Sequence, residues 1–382
     1  MGKSLNEIAK ELKDNDNNKN KKVQLIYAFN GVGKTRLSKE FKALITSENG
    51  IENSEELENK KVLYYNAFTE DLFYWDNDLE NNMSSTLKIH PNKFTKWIFI
   101  DQGQDQNVIS TFQGYTNRNL NPSFNDDFSE VTFAYKSGDN QEKENIKISK
   151  GEESCFVWSI FYTFMKEVLT GLNDGEETSE YSNLEYIFID DPVTSLDDNH
   201  LIQLAVDLAE TIKQSKSKVK FIITTHNPLF FNVLTNEFSI KNEEYGYKKN
   251  KFKGHNLKKL SDGTYLLTEL KTDSPFSYHL FLKNEIERAI ETDDIRKYHY
   301  NFLRNILEKT ATFLGYTNIA GLLKAEDGTM DNFVNRIINL SSHSKVASDE
   351  ASELSLEEKD KFKEIFEQFI EKYHFGKEEV NE

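Results

Sequence analysis

Cysteine is almost missing from this sequence: Cys155 is the single one in 382 residues. That excludes an intramolecular disulfide or a cysteine zinc site, and it suits a reducing compartment. Proline is nearly as rare, at 5 residues, on a background rich in Lys, Asn, Phe and Tyr. That bias reads as the coding habit of an AT-rich genome more than as a functional signal. No apolar run is long enough to span a bilayer. The opening MGKSLNEIAKEL lacks the apolar core of a signal peptide and is amphipathic instead, with Leu5, Ile8 and Leu12 on one face. The expectation is a soluble, cytoplasmic protein with no membrane partner. Positive charge is in deficit, with a net charge of −17. This excludes a general nucleic-acid coat but not a local basic patch. At 37% hydrophobic residues, the chain can build one large domain with an appendage, or two.

The most informative stretch is Leu184 to Asp197, LEYIFIDDPVTSLD. A short apolar run stopped by two carboxylates reads as a buried parallel strand opening into a site at its carboxyl end. Asp190 is placed to hold Mg²⁺ directly or through water, and Asp191 to orient an attacking water. Upstream, after the polar stretch Asp14 to Lys22, comes VQLIYAFNGVGKTRLSKEF. Strand, turn and helix surround Gly33-Lys34-Thr35, the end of a G-x-x-x-x-G-K-[ST] phosphate loop. Ala28 stands where the first glycine is usual. The chemistry survives that change. Backbone N–H groups of Asn30, Gly31, Val32, Gly33 and Lys34 cradle phosphates, Lys34 reaches the β and γ phosphates, and Thr35 binds Mg²⁺.

Lys61 to Asn66 and Glu130 to Tyr135 read as strands, and the aromatic, acidic Phe68 to Asp78 as a packed surface loop. Ile146 to Glu153, IKISKGEE, leads into an aromatic helix. Taken alone, Ser149 there is a helix N-cap with an acidic first turn. A helix over Asn199 to Lys213 follows the aspartates. Val219 to Thr225 is then a further buried strand, ending at His226.

These motifs, in this order, resemble the ABC-type ATPases over about residues 20 to 240. The resemblance makes Ser149 and Gly151 the remnant of the LSGGQ signature, with Lys150 and Glu152 as departures. It makes His226 a γ-phosphate contact and leaves Gln102, Gln104 and Gln106 as candidates for the sensing glutamine. It also implies ATP or GTP with Mg²⁺, and paired heads in a homodimer or higher oligomer, where Ser149 and Gly151 of one chain face Lys34 of the other. Asp191 replaces the usual glutamate, so slow, switch-like hydrolysis is expected. No heptad run or C-x-x-C hook interrupts Thr35 to Ser149, unlike the SMC and Rad50 branches.

Lys241 to Leu260 is basic, and reads either as a solvated hairpin or as an RNA phosphate contact. From Phe276 onward the spacing is helical: Glu285 to Ile290, Ile295 to Phe313, Asn332 to Leu340 and Leu356 to Tyr373. Arg304 and Glu308, four apart, share a helix face. Ser341-Ser342-His343-Ser344 presents a histidine in a small polar turn.

The stretches MGKSLNEIAKEL, QLIYAFNGVGKTRLSKEF, YYNAFTEDLFYWDNDL, SKGEES, IFIDDPVTSLDDNHL, FIITTHNP, FSYHL, LRNILEKTATFLGY and INLSSHS together resemble the bacterial PrrC-type anticodon nucleases. The resemblance implies an α/β ABC-type P-loop ATPase head with a C-terminal, mainly helical nuclease domain. Residues 1–22 would be an N-terminal helix and linker, 23–270 the ATPase domain and 271–382 the nuclease domain. It places the nuclease triad on Arg304, Glu308 and His343, and anticodon reading near Asp273. It implies metal-independent cleavage of a tRNA, lysine tRNA by family habit, with guanine nucleotide and dTTP as effectors. A type I restriction–modification complex would be the inhibiting partner, and antiphage defence the setting. The alternative from another class is a RecF/Rad50-like repair or restriction ATPase with a structural helical tail. A Toprim nuclease is excluded, because no acidic metal cluster follows His226.

Overall fold

A computed structural model of the chain describes residues 2–14, 21–47, 61–66, 72–77, 85–136, 142–175, 181–192, 198–260, 262–270, 278–319, 322 and 354–375. It divides into two units, Met1–Pro275 and Phe276–Glu382. In the first, α1 (Leu5–Asp14) precedes β1 (Val23–Tyr27) and α2 (Lys34–Ser47). Then come β2 (Val62–Tyr65), β3 (Phe73–Asn77) and β4 (Ser85–Ile89). A short α3 (Lys93–Lys96) runs into a π-helical turn, Trp97–Asp101, before α4 (Asp105–Tyr115). β5 (Leu120–Phe124), β6 (Glu130–Lys136) and β7 (Glu142–Lys143) lead to the long α5 (Lys150–Asp174). β8 (Tyr186–Asp190), α6 (Asp198–Gln214), β9 (Lys220–Thr225) and α7 (Pro228–Ser239) follow. β10 (Phe252–Lys259) and β11 (Tyr265–Glu269) are the last strands.

The main sheet runs β11-β10-β1-β9-β8-β2. All its pairs are parallel except β10–β11. Strands buried on both faces favour apolar residues, which is why VQLIY and YIFID read as nearly continuous runs, with buried Gln24 answered by Leu12 O at 2.8 Å. Helix α1 lays Leu5, Ile8 and Leu12 on Leu37 and Phe41 of α2. Lys3 exchanges both backbone hydrogen bonds with Tyr265 at 2.7 Å, so the N-terminal segment is stitched to the sheet edge.

A second, antiparallel sheet has the order β3-β4-β6-β5, with β7 beside β6. Part of the expected surface loop Phe68 to Asp78 is therefore strand β3. The physical reason is alternation. Phe73 is buried and Trp75 Nε1 donates to Glu153 Oε2 at 2.7 Å, whereas Tyr74 lies outward against His90. Helix α5 is apolar on most sides and is buried accordingly. Its Phe156 meets Phe133 and Phe112 edge-on, with centroids 5.2 and 5.4 Å apart, and Trp158 meets Tyr65 at 5.2 Å.

The basic segment Lys241 to Leu260 is only partly a solvated turn. Asn242 and Tyr247 pair across a tight turn, but residues from Phe252 onward form β10 inside the sheet, between β1 and β11. Tyr247 and Phe252 pack on Phe238, so these aromatics are core rather than a base-stacking platform. Lys253 is buried and paired with Glu269 at 2.9 Å. His255, 3% exposed, has its pKa pushed down to about 4 by burial and then by the Lys253 charge.

The folded chain thus keeps His255 neutral, while the unfolded chain protonates it near the ordinary 6.5. The stability from this difference is present above pH 6.5 and is lost as pH falls toward about 4, a term of about 3 kcal/mol. His255→Leu should lose less stability than the parent between pH 7 and pH 4.5. Urea midpoints at the two pH values test this; parallel losses would show that His255 is not the group responsible.

The second unit contains α8 (Tyr278–Glu291), α9 (Lys297–Phe313) and α10 (Leu356–Lys372). Its core joins Leu282 and Ile286, Leu303 and Leu307, and Phe362 and Phe366. The expected helix over 332–340 lies outside the described residues. No helix among the described residues is long and apolar enough to cross a membrane.

Candidate functional site

Parallel pairing brings the carboxyl ends of β1, β9 and β8 to one edge. Because β9 lies between the other two, His226 enters between the glycine loop and the aspartates. Ala28 N donates to Thr225 O at 3.0 Å, continuing the β1–β9 ladder past Tyr27. The departure at Ala28 is explained by this: it extends the ladder one residue past β1, and its φ is not positive. The turn itself falls on Gly31 and Gly33, with φ of +78° and +117°, a region that L side chains rarely adopt. Helix α2 starts at Lys34, so the loop N–H groups and a helix N-terminus converge on the place where phosphates would sit.

Lys34 is 6% exposed. Its Nζ donates to Ala28 O at 3.2 Å, Phe29 O at 3.4 Å and Asn30 Oδ1 at 3.2 Å. It also lies 3.2 Å from Asp191 Oδ2. Asp190 accepts from Thr224 Oγ1 at 2.5 Å, and the nearby Thr35 hydroxyl also favours its ionised form. Burial pushes the Asp190 carboxyl above the usual carboxylate range, and these hydroxyls offset it only in part.

Asp191 behaves oppositely. Burial would raise it, but the His226 hydrogen bond and the Lys34 charge outweigh burial and hold it low. Its oxygens lie 2.6 and 2.7 Å from His226 Nδ1, and Oδ1 accepts from His226 N at 3.2 Å. The ring is thereby oriented with Nε2 left for another partner. The Asp191 backbone is at φ +53°, a conformation unusual for a residue other than glycine. It is secured by Asp191 N donating to Thr224 O at 2.9 Å.

The donor set fits Mg²⁺ held together with a nucleotide: one hydroxyl, one buried carboxylate, and phosphates and waters for the rest. Among the described residues no cluster of His, Cys, Asp and Glu could hold a metal by itself. Thr224 and Thr225 escaped the sequence reading, although their hydroxyls reach Asp190 and Asp191. Two threonines closing an otherwise apolar strand were the available signal. Tyr64 was missed as well; its OH bonds Ser38 Oγ, which donates to Thr35 O at 2.7 Å.

Ser149 is the N-cap of α5. Its Oγ accepts from Glu152 N at 3.2 Å while Glu152 Oε2 accepts from Ser149 N at 2.7 Å. Gly151 lies in the first turn. Gln102 ends the π-helical turn, Gln104 precedes α4 and Gln106 lies in its first turn. In the second unit, Arg304 Nε donates to Glu308 Oε1 at 2.8 Å on α9. Ser195, Leu196, Asp197, Asp273 and His343 lie outside the described residues.

A family profile described as an AAA domain matches residues 106–371. An Escherichia coli protein named anticodon nuclease is 48% identical over 386 residues, covering 94% of each chain. The chain belongs to the PrrC-type anticodon nucleases. The likeness of this anticodon nuclease family member to its relative extends well into the helical second unit, not merely the P-loop head. Among solved structures, the SMC head domain from Thermotoga maritima is 10% identical, with 66% of this chain and 91% of that one covered and a TM-score of 0.31. An SMC head bound to the C-terminal winged-helix domain of ScpA is 12% identical with the same coverages and a TM-score of 0.33.

Proposed function

We propose that this protein is a nucleotide-regulated ribonuclease that cleaves a tRNA, lysine tRNA in this reading, in its anticodon loop. The observation that supports it is the 48% identity across 94% of both chains to an anticodon nuclease. Cleavage uses the ribose 2′-OH as nucleophile, leaving a 2′,3′-cyclic phosphate and a 5′-OH. His343 exchanges the protons, as an imidazole with an ordinary pKa near ~6.5 can at neutral pH. Arg304 is permanently charged and stabilises the phosphorane. Glu308 is either the second acid/base group or an orienting one; its bond to Arg304 Nε suits the second role by fixing the guanidinium plane. Asp273 contributes to reading the anticodon. Unpaired loops, whose bases can splay out, suit such recognition.

In the head, Asn30 to Lys34 cradle the phosphates of ATP or GTP, and Thr35 and Asp190 hold Mg²⁺, which when bound neutralises phosphate charge. Asp191 orients water, His226 contacts the γ-phosphate, and Ser149 and Gly151 face the nucleotide of a second copy. dTTP is a further effector, and a type I restriction–modification complex the latency partner, in antiphage defence. Brief expression in a bacterium, followed by sequencing of RNA 5′-OH ends, should give one cluster in the anticodon loop of a single tRNA. Ends scattered through messenger RNA would overturn the reading.

A further inference from the structure

Opposite the nucleotide edge, three neighbouring parallel strands of the main sheet begin with lysine. Lys22 precedes β1, Lys251 precedes β10 and Lys220 opens β9. The backbone ties these starts together: Lys22 N donates to Lys251 O at 2.8 Å, and Phe221 N to Lys22 O at 2.7 Å. Parallel pairing aligns strand starts as surely as it aligns strand ends. The turn after α6 adds Lys216 and Lys218, and with Lys21 these side chains line a pocket of about 520 Å³. Among the described residues no Asp or Glu lines it, on a chain with 64 acidic and 47 basic residues.

The like charges are crowded rather than neutralised. Lys22 donates to Ser215 O, and burial followed by the Lys251 charge holds its pKa down to about 8. Burial and then the Lys253 charge also lower Lys21. Lys213, on the same wall, is answered by Glu237 at 2.7 Å. Lys216, Lys218 and Lys251 are exposed and pair with no carboxylate among the described residues. A bound anion would relieve this crowding.

We propose that this lysine pocket docks the sugar-phosphate backbone of the RNA substrate. The inference rests on the nuclease reading above, which makes RNA the partner. A chain of net charge −17 repels RNA at a distance, so a local cation cluster with no carboxylate among its described lining residues is what brings phosphates in. Lysine ammonium groups on flexible stems suit phosphate contacts that position a strand without reading its sequence.

The test is the full-length triple variant Lys216→Ser, Lys218→Ser and Lys251→Ser. These side chains are exposed, so no core contact is lost. Binding of bulk tRNA is measured from 50 to 300 mM salt on a His343→Ala background. Three lost phosphate contacts should lower the slope of log K against log salt by about 2 and weaken binding roughly 10- to 50-fold near physiological salt. Nucleotide turnover should stay at the parental rate, and arginine at the same three positions should restore affinity. A parental slope, or weaker binding without a change in slope, would overturn the pocket assignment. If the parent still produced anticodon-loop 5′-OH ends, the nuclease reading would survive that result. A parent that neither bound nor cut tRNA would overturn both.

Discussion

His343→Ala loses RNA cleavage by about 10²–10⁴-fold, the usual worth of a positioned proton-transfer group, while nucleotide turnover and tRNA binding stay near parental values. The contrast follows from chemistry. The stretch Ser341-Ser342-His343-Ser344 is polar in sequence, so the substitution is expected to remove a proton carrier rather than an apolar contact. Arg304→Ala should cost similarly through lost charge stabilisation. Arg304→Lys should restore little, because an ammonium lacks the planar fork whose Nε is held by Glu308 at 2.8 Å. Double variants among Arg304, Glu308 and His343 should be no worse than the poorest single, since groups acting as a unit are not additive. Once the nuclease is activated, cleavage should continue in EDTA. The measurement is single-turnover cleavage of purified tRNA. A His343→Ala protein cutting the same bond at the parental rate would sink the assignment.

Lys34→Ala abolishes nucleotide binding, and it also destabilises the head. Lys34 holds the Ala28 and Phe29 carbonyls and pairs with Asp191 at 3.2 Å. Asp191 keeps its His226 hydrogen bonds when Lys34 is removed, so the cost falls below the roughly 3–5 kcal/mol of stripping a buried charge of its only partner. Asp191→Asn is therefore the sharper experiment. Asparagine tolerates the left-handed backbone at φ +53°, and the phosphate loop is untouched. Nucleotide should still bind but turn over about 10²-fold more slowly or worse, and light scattering should show a long-lived closed dimer. Hydrolysis at the parental rate would remove Asp191 from its role. The opposite shifts of the two aspartates sharpen the expectation: Asp191 is held ionised, as the proposed water-orienting group would need, while buried Asp190 would gain from a cation beside it.

Elements whose burial follows a local periodic pattern were legible without coordinates. β1, β8 and β9 announce themselves as apolar runs, and α6 and α9 by apolar residues every three or four positions. β10 was not legible, because FKGHNLKK buries polar groups that are answered only by other elements, as Lys253 is by Glu269. β3 was hidden by its aromatic and acidic company. Its pattern of period two makes sense only once Glu153 of α5 is seen to accept from Trp75.

By itself, the sequence determined the phosphate loop, the aspartate-ended strand and the helical character of the described residues after Phe276. Each of these is a local pattern in which spacing and residue type carry the physics. The tertiary structure alone decided that His226 and Asp191 form a hydrogen-bonded pair beside Lys34. It alone decided that lysines 22, 220 and 251 share one pocket. Both outcomes depend on strand order: with β9 beside β1 and β8, and β10 beside β1, parallel pairing brings strand ends together on one edge and strand starts on the other. No window of sequence carries that order.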